Sequence, residues 1–304
     1  MAARPLLLCP IDFSSASRGA LRHALAMSDR FDTNLLLITV DDPILEEAAA
    51  SKMGAGWSRR NSERELRLFL AETLGAAAPP KAPLQIDVAI GKPAVEILRE
   101  ARERGCALIV MSTHGRSGPK KFFFGSTAER VLRETTVPIL LTPADDAGPI
   151  AIDAMARRAA PVLVPVDFSD ASTRQVEVAR RVATALQLPL LFAHVIEPLH
   201  VPVPVELDLP DLTAERLSRA QSALAALVAE TPASTARDTV IVVGNPADEI
   251  ARLVRERHPG LIVIGLHGSP ALGPRMGSVT YRVLCEAPVL TLALPPESNL
   301  YGFN

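Results

Sequence analysis

STHGRSGPKKFFFGST, Ser112 to Thr127, is the stretch on which the fold turns. The apolar run ALIVM (107–111) precedes it and a helical pattern from about Ser126 to Arg133 follows, so a glycine-bearing loop joins a strand to a helix. Gly115 and Gly125 permit positive φ and close approach of a ligand to the backbone. Loop N–H groups and the N-terminus of the helix together offer a place for an anion. Arg116, Lys120 and Lys121 add positive charge, and the hydroxyls of Ser126 and Thr127 can donate to a phosphate. A plainer reading stands beside this one: Ser126 with Glu129 forms an S-x-x-E capping box, and the glycines only make turns. Phe122 to Phe124 reads as packing, because no basic stripe or second aromatic cluster accompanies it.

Much of this stretch recurs as GLHGSPALGPRMGSV, Gly265 to Val279. Other blocks recur in the same order. CPIDFSSAS (9–17) matches VPVDFSDAS (164–172), and GKPAVEILRE (91–100) matches GNPADEIARL (244–253). LIVMSTHG (108–115) matches LIVIGLHG (261–268), and GSTAERVL (125–132) matches GSVTYRVL (277–284). Residue 12 stands against 167, 91 against 244, 114 against 267 and 126 against 278, offsets of 155, 153, 153 and 152. A nearly constant offset means tandem duplication, with domains at 1–145 and 160–297 and a linker, PADDAGPIAIDAMARRAA, over 143–160.

Each copy alternates strand and helix. In the first, apolar runs at 6–11, 34–40, 84–90, 107–111 and 137–143 predict strands. Helices are predicted from Ser14 to Arg30, from about Ser62 to 75, from Pro93, and from Ser126. Leu21, Ala24, Leu25 and Ser28 share one face of the first helix, Leu66, Phe69, Leu70 and Leu74 one face of the second, and Val95, Leu98 and Ala101 one face of the third. The second copy predicts strands at 162–166, 189–195, 239–243, 261–265 and 289–294, with helices at 170–187, 213–230, 247–257 and 278–286. Strands apolar throughout, separated by amphipathic helices, indicate parallel sheets covered on both faces: an α/β chain of two tandem doubly wound five-stranded sheets. In such sheets ligands bind beyond the carboxyl ends of the strands, where strand order reverses. If strands 1 and 4 are neighbours, Asp12 lies across a crevice from the glycine loop, which suits a nucleotide. Asp12 and Asp167, each followed by Phe-Ser, have a second reading as caps of the helices that start there.

Composition narrows the classes. The 304 residues carry 48% apolar and 22% charged side chains and a net charge of −2, which offers no electrostatic reason for nucleic acid or an anionic membrane as partner. Cys9, Cys106 and Cys285 lie far apart, so packing in a reducing compartment is expected rather than a disulfide framework. No apolar run reaches the length of a membrane span and no leader pattern opens the chain, so a cytoplasmic protein is expected. No P-loop, GxSxG elbow or metal-ligand spacing occurs, and His114 and His267 stand beside no evident nucleophile, so no catalytic or metal residues are assigned.

At these motifs the chain resembles the universal stress protein family in its tandem form. The resemblance rests on PIDFS and PVDFS, GKPAVEI and GNPADEI, LIVMSTHGRSG with GS nine residues later, and VPILL with APVLTL. It implies an adenine-nucleotide alpha-hydrolase-like sheet of order 3-2-1-4-5. It also implies fifth strands that pair, so that VPILL and PVLTLAL join in an intramolecular pseudo-dimer; homodimerisation and unnamed protein partners are further expectations. ATP-binding members carry G-x2-G-x9-G-[ST]. The first copy has Ser112 at the leading glycine but keeps the nine-residue spacing between Gly115 and Gly125. The second keeps Gly265 and Gly268, has eight residues before Gly277, and gains Pro270 and Pro274. The implied ligand is ATP, with Mg2+, held at Asp12, Val40, Met111, Ser112, Gly115, Arg116, Gly125, Ser126 and Thr127. Weaker counterparts are Asp167, Val195, Gly265, Gly268, Gly277 and Ser278. The function so implied is nucleotide-dependent regulation in a stress response, centred on the first domain. The alternative is an interaction module that binds no nucleotide, and a slow ATPase ranks last.

Overall fold

Leu7, Leu8 and Cys9 expose no surface to solvent, and this apolar run makes β1 (Leu6–Pro10) an interior strand. The computed structural model describes residues 4–75, 80–113, 125–143, 155, 158–198, 212–231, 235, 237–266, 277–286 and 289–296. The chain divides into two units, Met1–Ala151 with Leu290–Asn304, and Ile152–Val289. In the first, β1 lies between β2 (Asn34–Asp41) and β4 (Leu108–Ser112), with β3 (Leu84–Ile90) beyond β2 and β5 (Ile139–Thr142) beyond β4. All these pairings are parallel, in the expected order 3-2-1-4-5. The segment PVLTLAL supplies β10 (Thr291–Leu294), which groups with this unit and runs antiparallel to β5, Leu292 opposite Leu140. This covers an apolar edge that would otherwise expose unpaired backbone groups.

Helices α1 (Ser15–Phe31), α2 (Pro43–Met53), α3 (Trp57–Leu74), α4 (Pro93–Glu103) and α5 (Ser126–Glu134) connect these strands. Ser14 caps α1 by accepting from the Ser17 N–H, and Leu21, Ala24, Leu25 and Ser28 are buried as their spacing predicts. Two stretches differ from expectation. Residues 43–75 hold two helices, and α3 starts at Trp57 rather than Ser62. The break falls at Gly54 and Gly56, whose φ values are 89° and 72°. Asp42 caps α2 and Pro43 opens it, but α2 buries no side chain, so no apolar stripe marks it in the sequence. In α4 the buried stripe is Ala94, Ile97 and Ala101, while Val95 is 38% exposed. The stripe is rotated from the predicted one because Glu100, also buried, accepts from Arg99 and Arg104 and takes space on that face.

In the second unit β6 (Val162–Pro165) lies between β7 (Leu190–Ile196) and β9 (Leu261–Gly265), with β8 (Arg237–Val243) beyond β7, all parallel. The helices are α6 (Asp170–Leu186), α7 (Leu212–Ala229), α8 (Pro246–Arg257) and α9 (Ser278–Glu286). Leu163, Leu191, Ile250, Ile262 and Val283 meet in its core.

The repeated G-x-P-A-x-E motif has a packing cause. A Cβ on Gly91 would lie 2.8 Å from Glu96 Oε1, and one on Gly244 2.8 Å from Glu249 Cγ. Both glutamates fold back over the strand end and hold an arginine, Arg99 or Arg252. Cys9, Cys106 and Cys285 are free thiols, and burial pushes Cys106 up to about 11, which fits packing rather than reactivity. Among the described residues, no helix is long and apolar enough to cross a membrane.

Candidate functional site at the strand ends

In the first unit the β1–β4 ladder stops at Leu8↔Ile109, short of both strand ends. The chain beyond, Ile11 to Ser14 on one side and Met111 to Thr113 on the other, flanks the crevice of a switch point. Asp12 does not cap α1 itself. Its Oδ1 accepts from the Ser14 N–H (3.0 Å) and the Ser14 hydroxyl (2.6 Å), and Ser14 is the cap. Between them Phe13 takes φ 62°, a left-handed conformation costly for an aromatic residue. Packing holds it there: the Phe13 ring meets Phe69 edge-on at 5.6 Å, and the Arg18 guanidinium lies 4.2 Å over Phe69. The turn thereby fixes the Asp12 carboxylate at the strand end.

Val40, half-buried, is the penultimate residue of β2, while Met111 and Ser112 are buried at the end of β4. The Thr113 carbonyl accepts from the Gly125 N–H at 3.0 Å, so the loop returns to the point it leaves. Gly125 is the N-cap of α5 with φ −61°, a value any residue adopts. Its expected positive φ is therefore absent, and what glycine supplies is a helix entrance without a side chain. Ser126 lies inside the helix with an exposed side chain, so the capping box does not form; Glu129 pairs instead with Arg133 at 3.7 Å. The entrance of α5 leaves the Ser126 and Thr127 N–H groups at the positive end of the helix dipole. Asp12, Val40, Met111, Ser112, Gly125, Ser126 and Thr127 thus sit at one end of one sheet. Gly115 and Arg116 lie outside the described residues, as do Lys120, Lys121 and Phe122 to Phe124.

The second unit repeats the backbone and changes the side chains. Asp167 Oδ1 accepts from the Ser169 N–H (3.0 Å), the Ser169 hydroxyl (2.6 Å) and the Ser172 hydroxyl (2.5 Å). Desolvation opposes its ionisation, but these hydrogen bonds outweigh it and hold the carboxyl below its ordinary value. Phe168 has φ 61° and stacks on His194 at 4.3 Å, and His194 Nδ1 lies 2.8 Å from the Val166 carbonyl. Val195 packs against the core. The Leu266 carbonyl accepts from the Gly277 N–H at 3.0 Å, the same closure as Thr113 with Gly125. The missing residue is therefore taken up within 267–276, outside the described residues together with Gly268.

Two residues that sequence reasoning passed over meet Gly265. Gln175 Oε1 accepts its N–H at 3.1 Å, and the Thr280 hydroxyl donates to its carbonyl at 2.8 Å. The signal for them was available: both are polar where the first repeat has alanine, Ala20 and Ala128. Among the described residues, no group of three or more His, Cys, Asp or Glu could hold a metal ion.

The duplicated strand-end turns, the glycine-closed loops and the 3-2-1-4-5 order accompany two matches to one family, over residues 6–143 and 159–295. The chain belongs to the universal stress protein family. A universal stress protein of Methanocaldococcus jannaschii is 27% identical over 137 residues, 44% of this chain and 79% of the relative. One from Thermus aquaticus is 33% identical over 131 residues, 42% of this chain and 92% of the relative. Each therefore spans about the length of one repeat. The solved universal stress protein of Archaeoglobus fulgidus shares the fold at 20% identity, with a TM-score of 0.67, covering 96% of this chain and 98% of its own.

Proposed function

We propose that the first domain, residues 1–145, binds ATP, and that its occupancy regulates the protein in the cytoplasm during a stress response. The observation that carries this reading is the gathering of Asp12, Val40, Ser112 and the open entrance of α5 at one switch point. Asp12 accepts from the base or ribose, and Val40 and Met111 line the apolar side. The Ser126 and Thr127 N–H and hydroxyl groups hold phosphate at the helix entrance. Arg116 and the neighbouring lysines add charge that the second repeat lacks but for Arg275. Mg2+ travels on the ATP phosphates. ATP is held rather than turned over, and the second domain, 160–297, is the weaker copy. Mass spectrometry of the nucleotide released from denatured, purified protein tests this, with calorimetry on the intact chain. Absence of binding at millimolar ATP ends the reading.

Buried Ser112, in place of the family's leading glycine, favours a second reading in which the chain acts through partners without nucleotide. A wild-type stress phenotype in a Gly115→Asp/Gly125→Asp strain would support it.

A further inference from the structure

Gln175 lies on α6 and is buried. Its Nε2 donates to the Pro165 carbonyl of β6 at 2.6 Å and to the Val263 carbonyl of β9 at 2.9 Å. The β6–β9 ladder ends at Leu163↔Ile262, so this side chain bridges the strands where they no longer bond to each other. Its Oε1 takes the Gly265 N–H, and Thr280, buried in the first turn of α9, gives its hydroxyl to the Gly265 carbonyl. Both backbone polar groups of Gly265, the residue from which the second loop departs, are thus engaged by side chains. In the first unit the side chains at the two equivalent positions cannot make this grip. Helices α1 and α6 follow caps at Ser14 and Ser169, which sets Ala20 against Gln175; α5 and α9 start at Ser126 and Ser278, which sets Ala128 against Thr280. Ala20 and Ala128 are buried and have no polar side-chain atom.

We propose that Gln175 and Thr280 form a clasp on Gly265 that closes the second switch point to nucleotide, leaving one ATP site per chain. This rests on the ATP reading of the first domain. A ligand phosphate or ribose at the second crevice requires backbone groups at the strand end. Using Gly265 there means breaking a satisfied buried network, whose groups would be left unpaired. Val279 at the position of Thr127 deepens the difference, since it packs on the core and offers no hydroxyl.

Equilibrium dialysis of the full chain against radiolabelled ATP, with hydrogen exchange read at the Gly265 amide, tests the clasp. The wild-type chain is expected to take up one ATP, and Gly125→Asp to abolish that uptake. The Gln175→Ala/Thr280→Ala chain is expected to bind a second ATP and to exchange the Gly265 amide roughly tenfold faster or more. Uptake of two ATP by the wild type, a single ATP on the folded double variant, or unchanged Gly265 exchange overturns the proposal. Where the double variant does not fold, the reverse transfer, Ala20→Gln/Ala128→Thr, carries the test. It should weaken first-domain binding roughly tenfold or more, and unchanged affinity overturns the clasp. If the wild type itself takes up no ATP while Gly265 exchange shifts as expected, the first-domain reading has failed and the gating role falls with it.

Discussion

In the second repeat, Gln175 and Thr280 hold the backbone of Gly265 at the end of its strand; in the first, whose strand ends at Ser112, the equivalent positions are Ala20 and Ala128. Around this difference the backbone is nearly the same. Phe13 and Phe168 share a left-handed φ, 62° and 61°, and both loops close by one hydrogen bond from the glycine to the residue after the strand. What the two copies share is what the fold needs: a braced turn into the first helix, a glycine under a folded-back glutamate, and a closed loop base. They part company where a ligand would sit. A duplicated fold therefore need not duplicate its site, and the loop sequence is not the sole place to look for the change. In the second copy, buried polar side chains from the flanking helices already occupy the backbone N–H and carbonyl of Gly265.

The sharpest way to break the comparison is a matched pair of substitutions. Gly125 has φ −61° and caps α5, so Asp fits the backbone and is itself a good cap. Gly125→Asp should leave folding intact yet weaken ATP binding roughly thousandfold, as expected for like charges about 4 Å apart near a protein surface. Gly277→Asp should change binding little. Calorimetry on both variants checks this, and equal losses would erase the asymmetry. Next in size come Gly91→Ala and Gly244→Ala. Each drives a Cβ against a glutamate and should cost roughly 1–3 kcal/mol of stability in chemical denaturation, alike in both repeats. An effect in one repeat alone would show that the shared motif serves more than packing. Ser14→Ala and Ser169→Ala should each cost ~1 kcal/mol through loss of a cap, read from the same denaturation curves.

The smallest effect is the pH response at Asp167. Its folded carboxyl lies below the ordinary value, so the stability it contributes is present above the usual aspartate range, ~4, and drains as pH falls through the lower folded value. Asp167→Asn should flatten that acid limb of the stability curve, a change of a few tenths of a kcal/mol at this solvent-facing position. Acid titration followed by circular dichroism detects it; an unchanged limb would mean that the three hydrogen bonds add nothing to the folded state.

Much of this was legible without coordinates, for identifiable reasons. The repeat shows in the order and offset of four blocks, and the parallel sheets show in strands that are apolar throughout. The face of α1 was readable because Leu21, Ala24 and Leu25 follow the helical period without interruption. The face of α4 was not, since buried Glu100 disturbs the stripe and only its two arginine partners make that burial tolerable. Helix α2 was invisible because it buries nothing. At the site, the motif pointed to Asp12, Ser112 and Gly125, but it carried a capping box that the helix start at Ser126 forbids.

The amino-acid order by itself determined the duplication, the α/β class and the spacing of the two glycine loops, because these depend on neighbours within a few residues or on direct self-comparison. Only the tertiary structure decided that Gln175 reaches Gly265, 90 residues away, and that Thr280 meets the same residue from the other side. Burial leaves a periodic trace in a sequence; the partner of a buried amide does not, because it is chosen by how the crossovers bring distant strand ends and helices together.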